Sequence, residues 1–205
     1  MNIAEIRQMV LAVAPGVPAT IVDMHIRGAA RDFFARSQRW RWTTEPIILV
    51  QDLNFYGIDL PPFTTLSRIL RVNCSEGTLQ PEEEMDLRAE IDRGAKDGMR
   101  KYAVTAEDEL IIGPSVPKGG INVYVDATLI PSGGIVNYPD NVILPYVSAI
   151  VNGALAEIYL MPQGWNNPQM ADRYKSLFEQ GLNVARNERE RLAVNVHKTV
   201  SYGGL

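Results

Sequence analysis

The chain has 205 residues, of which 46% are hydrophobic and 21% charged, and its formal net charge is −4. These values are typical of a globular protein and exclude wholesale disorder. A single cysteine, Cys74, excludes a disulfide framework and a cysteine zinc site. Because the sequence has only two histidines, most metal-centred and nucleophile–base sites lack their residues. We therefore expect no catalytic residue, no metal and no cofactor.

The distribution of apolar residues disfavours two further classes of protein, membrane-associated and secreted. No apolar run reaches the roughly 18 residues that a membrane-spanning helix needs, so we expect no membrane association. The first residues carry an acid, Glu5, and no signal-type apolar stretch. We therefore expect no secretion.

The charge is unevenly distributed along the chain. Residues 1–42 carry a net charge of +3, residues 43–141 carry −8, and residues 142–205 carry +1. The acidic middle is rich in proline and β-prone, whereas both ends show helical periodicity, so the pattern predicts an insertion into a helical domain. We place the helical domain at 1–42 and 142–193, the β-rich inserted domain at 43–141 and an extended C-terminal tail at 194–205.

The N-terminal segment predicts a helical hairpin. Residues 2–5 read Asn-Ile-Ala-Glu, which is a capping box, and apolar residues then recur at helical spacing. Pro15 ends this first helix, and a second helix is expected from Thr20 to about Ser37. The short connection predicts that the two helices are antiparallel neighbours.

The middle third predicts short strands. Residues 102–105 and 109–112 suit a hairpin, and residues 121–130 alternate apolar and polar side chains as a half-buried strand does. Pro81 and the acids after it predict the start of a short helix. The acids at 82–86 are expected to be solvated, as consecutive charges at a helix start usually are.

The C-terminal third returns to helical periodicity. A nearly uniformly apolar helix is expected from about 141–144 to Leu160, and Pro168 suits the first turn of a long helix. From Val194 the helical pattern ends. The predicted fold class is therefore α+β, a helical bundle of about four helices from the N- and C-terminal segments with a β-rich insert and an extended C-terminal tail.

An arginine series on the second helix is the most prominent polar feature. Arg27 and Arg31 share one face of the helix, Arg36 follows, and Trp40 and Trp42 come next. Arginine and tryptophan dominate protein interfaces, so we take these residues as interface candidates. A solvated or structural role and binding to a phosphate backbone are the alternatives. The pI near 5.3 disfavours a dedicated DNA-binding domain.

Several other polar residues are candidates for chemistry. His25 lies among apolar positions and is expected at the core or its rim, and Cys74 is expected to be a small buried group. Glu107, Glu109 and Asp126 would be the acids of a cell-wall glycan hydrolase, which requires two carboxylates about 5–10 Å apart. A DNA-binding accessory protein that uses the arginine helix is the other alternative.

Three short segments carry a resemblance to a known family. They are the tryptophan segment Ser37-Gln38-Arg39-Trp40-Arg41-Trp42-Thr43, the Pro-led apolar segment Leu144-Pro145-Tyr146-Val147-Ser148-Ala149-Ile150-Val151, and the loop Met161-Pro162-Gln163-Gly164-Trp165-Asn166-Asn167-Pro168. In this order, around a β-rich insert, they resemble the head-to-tail adaptor proteins of short-tailed phages, the tail tubular protein A type. The resemblance spans about residues 1–195.

The resemblance implies a structural virion protein rather than an enzyme. Such an adaptor is made in the host cytoplasm and forms a homo-oligomeric, dodecameric ring in the neck of the virion. Its partners would be the portal protein above and the tail nozzle protein below, with genomic DNA passing through the lumen without sequence-specific contact. The tail would reach the portal, so its apolar residues are also interface candidates. These are Val194, Val196, Val200 and Tyr202.

Overall fold

The computed structural model describes residues 1–95, 98–116 and 120–196, and for residues 191–196 it describes the backbone only. The chain divides into two compact units, which are Met1–Trp40 with Ile130–Leu205, here called the helical unit, and Arg41–Leu129, here called the sheet unit. The elements in chain order are α1 (Ile3–Val13), α2 (Ala19–Ser37), β1 (Arg41–Thr43), β2 (Ile47–Ile48), β3 (Phe55–Gly57), β4 (Thr64–Cys74), β5 (Gly77–Pro81), α3 (Glu84–Asp92), β6 (Met99–Val104), β7 (Glu109–Pro114), β8 (Asn122–Pro131), α4 (Asp140–Ile143), a 3₁₀ turn (Leu144–Tyr146), α5 (Val147–Leu160) and α6 (Pro168–Val196).

The start of α1 confirms the predicted capping box. The Asn2 side chain accepts a hydrogen bond from the backbone N–H of Ala4 at 2.8 Å, and the Glu5 carboxylate accepts one from the backbone N–H of Asn2 at 3.2 Å. Two of the amides that lack helical partners at the N-terminus are thereby satisfied. The second predicted helix is also confirmed, because α2 ends at Ser37.

Helix α5 forms the centre of the helical unit, and α2 and α6 pack against it. Gly153 of α5 and Gly181 of α6 allow this close packing. A Cβ atom on Gly153 would lie 2.8 Å from the Phe178 ring, and one on Gly181 would lie 2.6 Å from the Ala149 Cβ. Neither position has room for a side chain, so glycine sets the separation of the two helices.

The segment Asp140–Leu160 is long and apolar enough to cross a membrane by length and composition alone. Half of the window that meets this test is buried inside the protein. A core helix of a globular unit passes the same test, and α5 has that position.

The sheet unit is built on one curled mixed sheet of eight strands. Along the main path the strand order is β1-β8-β4-β5-β6-β7-β3, and β2 also pairs with β8. β5 and β6 pair in parallel, with α3 between them in sequence, whereas β6 and β7 form the predicted antiparallel hairpin. The apolar face of the sheet covers a core, and α3 packs on β6 and β7 through Leu87.

The predicted fold class is wrong. The described residues contain five helices of nine residues or more and an eight-stranded sheet with its own core, rather than a four-helix bundle with a β insert. Strands such as Ile47–Ile48 and Phe55–Gly57 are too short to produce an alternating pattern, so the sequence understates the sheet.

The predicted extended tail is also wrong at its start, because α6 continues to Val196. Helical hydrogen bonding therefore passes the point at which the apolar periodicity weakens. The rest of the predicted tail lies outside the described residues.

Candidate interaction surfaces

Arg36 belongs to an ion-pair cluster inside the helical unit. Its guanidinium donates to the Glu179 carboxylate at 2.6 Å and to the Asp32 carboxylate at 3.0 Å, and it lies 5.8 Å from the centre of the Phe178 ring. The hydrogen bond to Glu179 raises the pKa of Arg36 further above its usual value. These contacts tie α2 to α6 and give Arg36 a structural role, so its place in an interface stays a prediction.

Arg39 joins the end of α2 to two later elements. Its Nε donates to the Tyr146 hydroxyl at 2.6 Å, and that hydroxyl donates to the Glu188 carboxylate at 2.8 Å. Burial and the hydrogen bond to Glu188 raise the pKa of Tyr146, so the phenol stays protonated and can donate.

Two arginines of α6 complete the attachment of the α2 C-terminus. The Arg186 Nε donates to the backbone carbonyl of Arg36 at 3.2 Å, and the Arg189 guanidinium donates to the Gln38 amide oxygen at 2.9 Å. Carbonyl groups in the last turn of a helix lack helical partners, and arginine side chains satisfy them well.

Arg27 and Arg31, in contrast, lie at the surface. Arg27 is half-buried and its Nε donates to the backbone carbonyl of Ile135 at 3.3 Å. Arg31 is exposed, and within the described ranges its side chain makes no hydrogen bond or ion pair. Both arginines line a depression of about 310 Å³. We call this surface the basic patch, and its residues are Met24, Arg27, Gly28, Arg31, Pro131, Ser132 and Gly133.

Two features of the basic patch are unusual for a helix surface. Met24 is 55% exposed. Gly28 lies in the middle of α2, where a Cβ atom would meet nothing within 4 Å. Glycine in a helix interior costs about 1 kcal/mol relative to alanine, and packing within the helical unit gives no reason for that cost. The result is a smooth apolar strip beside two cations.

A second cleft of about 410 Å³ adjoins the basic patch at Met24 and Gly28 and is lined by residues of α2, α5 and α6. The His25 Nε2 atom is buried there and has no hydrogen-bond partner among the described atoms. Burial lowers the pKa of His25, and the nearby Glu157 carboxylate opposes this shift. His25 is therefore neutral near pH 7, at the rim of the core as predicted.

The two tryptophans lie in different surroundings. Trp40 is 5% exposed and packs against Phe34 with its ring centre 5.5 Å away, so it is a core residue with little surface for a partner. Trp42 is half-buried against the core of the sheet unit.

The predicted tail residues are only partly described. Val194 and Val196 belong to the last turn of α6, where the backbone alone is described. Val200 and Tyr202 lie outside the described residues. The interface roles of all four stay predictions.

Three of the six acids around α3 are paired within the sheet unit. The Lys101 ammonium lies 3.0 Å from the Glu82 carboxylate and 2.7 Å from the Glu90 carboxylate, and the Arg88 Nε donates to Glu84 at 2.9 Å. The hydrogen bond from Lys101 lowers the pKa of Glu82. The pair between Glu90 and Lys101 links α3 to β6, and the acids that are paired remain partly exposed.

The remaining part of the run forms a second surface, here called the acidic knob, made of Glu83, Met85 and Asp86. All three residues are exposed, and Met85 is 83% exposed. In the part of the chain that the structure describes, neither carboxylate of the knob has a hydrogen-bond or ion-pair partner. The sequence analysis did not identify Met85. The only sign of it in the sequence is a large apolar residue between acids at a helix start.

The structure does not bring the three hydrolase candidates together. Asp126 accepts hydrogen bonds from Thr43 at 2.6 Å, Arg71 at 2.5 Å and Asn73 at 3.3 Å. Burial of Asp126 would raise its pKa, but these three donors outweigh burial and lower it. Asp126 is thus a paired structural carboxylate rather than a proton donor.

Glu107 and Glu109 are exposed at the β6–β7 turn, far from Asp126 in the sheet order. β4, β5 and β6 lie between β7 and β8, a separation of about 19 Å along the sheet. A glycosidase needs about 5–10 Å. The described residues also contain no group of three or more metal-ligating side chains placed to hold an ion.

The helical unit and the sheet unit thus each present charged and apolar surfaces, and the described residues contain no convergent catalytic groups. The chain matches the family described as SU10 adaptor protein over residues 1–198, and it belongs to that family. It is therefore a phage adaptor, a structural component of the virion, and the resemblance to podovirus head-to-tail adaptors is confirmed. A comparison with curated proteins finds no match.

Proposed function

We propose that this adaptor forms a dodecameric ring in the neck of the virion, between the portal protein and the tail nozzle protein. Genomic DNA passes through the lumen of the ring without sequence-specific contact. The basic patch is the observation that carries the proposal, because it offers charge, exposed methionine and a smooth helix surface for a protein partner. Membership of the SU10 adaptor protein family supports the same role.

The distribution of charge supports assembly from identical copies. A ring requires that one surface of each copy meets a different surface of the next. The N-terminal segment 1–42 carries +3 and the middle segment 43–141 carries −8. Each copy therefore has surfaces of opposite sign, which favour capture and correct register.

Each part of the chain has a place in this proposal. The predicted helical domain, residues 1–42 and 142–193, builds the ring. The C-terminal residues 194–205 contact the portal protein, and the inserted domain 43–141 faces outward or toward the tail. The adaptor is made in the host cytoplasm before assembly into the virion.

The arginines of the basic patch face protein rather than DNA in this proposal. A channel through which DNA slides should not hold phosphate groups, and unpaired arginines in the lumen would do so. Arg27 and Arg31 therefore contact a neighbouring copy or the portal protein.

The proposal predicts the effect of reversing this charge. The double variant Arg27→Glu, Arg31→Glu should no longer attach to portal-bearing heads, because like charges replace complementary ones. Electron microscopy of the purified protein mixed with portal rings, and of each alone, measures attachment directly. Arg93→Glu is the matched control, since it reverses an exposed arginine of the sheet unit, and it should attach normally. Intact attachment of the double variant with loss of DNA affinity would contradict the proposal.

A further inference from the structure

We propose that the basic patch of one copy receives the acidic knob of the next copy, with Met85 inserted beside Gly28. This inference rests on the proposed ring and assigns one of its contacts between copies. It pairs the two described surfaces that combine an exposed methionine with charges of opposite sign.

The basic patch has the shape of a receptor. Gly28 leaves open space above α2 where any other residue would place a Cβ atom. Met24 and Gly133 are among the residues that line the depression of about 310 Å³ beside it. An unbranched, polarizable side chain such as methionine adapts well to an irregular apolar space of this kind.

The acidic knob has the matching form. Met85 projects from the first turn of α3 and is 83% exposed. Leu87 of the same helix is fully buried and anchors α3 on the sheet, so the exposed side of the first turn is rigidly presented. A rigid anchor loses little conformational entropy on binding.

The two surfaces carry charges of opposite sign. Arg27 and Arg31 lie one helical turn apart, so their Cβ atoms are separated by about 6 Å. Glu83 is the residue that precedes the first turn of α3, and Asp86 lies within that turn. Both carboxylates can therefore approach the two guanidinium groups while Met85 enters the depression beside Gly28.

The partner that binds the basic patch is a second copy of the chain, because the basic patch and the acidic knob are both present on every copy. The two surfaces differ, so the contact is heterologous and propagates from copy to copy, as a closed ring requires. Among the described residues, Arg31 and the carboxylates of Glu83 and Asp86 have no internal partner, and Arg27 has only the hydrogen bond to the Ile135 carbonyl. Pairs of this kind favour register and rate of capture.

Disulfide cross-linking between singly substituted copies tests the contact. In a Cys74→Ser background, full-length protein with Gly28→Cys is mixed with full-length protein with Met85→Cys under mild oxidation. A disulfide between the two can form only between copies. Gly164→Cys replaces Met85→Cys as the matched control, because its position is also exposed and open.

The expected result is a cross-linking rate for the pair 28 and 85 about tenfold above that for the pair 28 and 164. Adding Arg31→Glu to the first copy should remove the excess, and adding Asp86→Arg to the second should restore it, because the reversed charges match again. Restoration also shows that the variants are folded. Equal rates for the two pairs, or an excess that survives Arg31→Glu, would overturn the inference.

The result is separable from the proposed function. Rings that form on portal rings without the 28–85 cross-link would overturn this contact and leave the ring intact. Protein that never binds portal rings would overturn the proposed function itself.

Discussion

The helices of the helical unit contain three glycines, of which two are tightly packed and one faces open space. Gly153 and Gly181 lie where α5 and α6 touch, and a Cβ atom at either would come within 3 Å of a neighbouring atom. Gly28 lies on the exposed side of α2, where a Cβ atom would meet open space. The same residue type is thus required for packing inside the unit at two positions and has no such requirement at the third.

This contrast gives a stability prediction. Gly153→Ala and Gly181→Ala should each lower the free energy of unfolding by about 1–3 kcal/mol, because a well-packed core must shift to admit a methyl group. Gly28→Ala should raise it by up to about 1 kcal/mol through higher helix propensity. Urea unfolding of the three variants measures these effects. A loss of stability in Gly28→Ala equal to that of the other two would show that the open space beside α2 is filled within the monomer.

A second residue-scale prediction concerns His25. Burial lowers its pKa below the ordinary value of 6.5, so near that pH the unfolded chain binds more protons than the folded one. Stability contributed by neutral His25 is therefore complete above pH 6.5 and is lost as the pH falls through the folded pKa. Glu157, Asp32, Glu179 and Lys175 line the same cleft.

Urea unfolding midpoints between pH 7.5 and pH 5 measure this effect. The wild-type midpoint should fall over that range, and His25→Gln should flatten the fall because glutamine does not titrate. An unchanged pH dependence in His25→Gln would show that another group is responsible.

At the scale of elements, the end of α2 is held by α6 and by the 3₁₀ turn through polar contacts. The Tyr146 hydroxyl links Arg39 to Glu188, and Arg186 of α6 donates to the Arg36 carbonyl in the last turn of α2. The partners are more than a hundred residues from α2 in sequence. This attachment explains why only the first half of the arginine series remains available at the surface.

The hydroxyl link predicts a measurable contribution. Tyr146→Phe should lower the free energy of unfolding by about 1 kcal/mol, because it removes one acceptor from Arg39 and one donor to Glu188. The control is Tyr124→Phe, since the Tyr124 hydroxyl is at an exposed position and should contribute little. Thermal unfolding of both variants measures the difference. Equal losses in the two variants would show that the link adds nothing to stability.

Local chemistry made part of the fold predictable. The capping box of α1, the end of α2 near Ser37 and the β6–β7 hairpin each depend on residues close in sequence. The eight-stranded sheet was not predictable, because strands of two or three residues carry no period and pair with distant partners.

Some features of the candidate surfaces were likewise predictable from the sequence, and others were not. Helical spacing alone placed Arg27 and Arg31 on one face of α2. It could not show that Arg36 pairs with Glu179 or that the Trp40 ring packs against Phe34, because those contacts depend on tertiary packing. Met85 was missed because a single exposed methionine has no sequence signature.

At the scale of the whole molecule, the uneven charge is the feature that the proposed assembly uses. The N-terminal segment is basic and the middle segment strongly acidic, although the chain as a whole carries only −4. Some of these charges are paired within their own unit, whereas Arg31 of the basic patch and both carboxylates of the acidic knob have no ion-pair partner among the described residues. A phage adaptor built this way assembles through surfaces present on every copy.

The most direct test of a ring in the virion neck is a cryo-electron-microscopy reconstruction of intact virions of the phage that encodes the chain. The account predicts twelve copies in one ring at the junction between the portal and the tail nozzle, with the DNA channel at its centre. Density for the chain anywhere else in the virion, or at that junction without a closed ring, would contradict it.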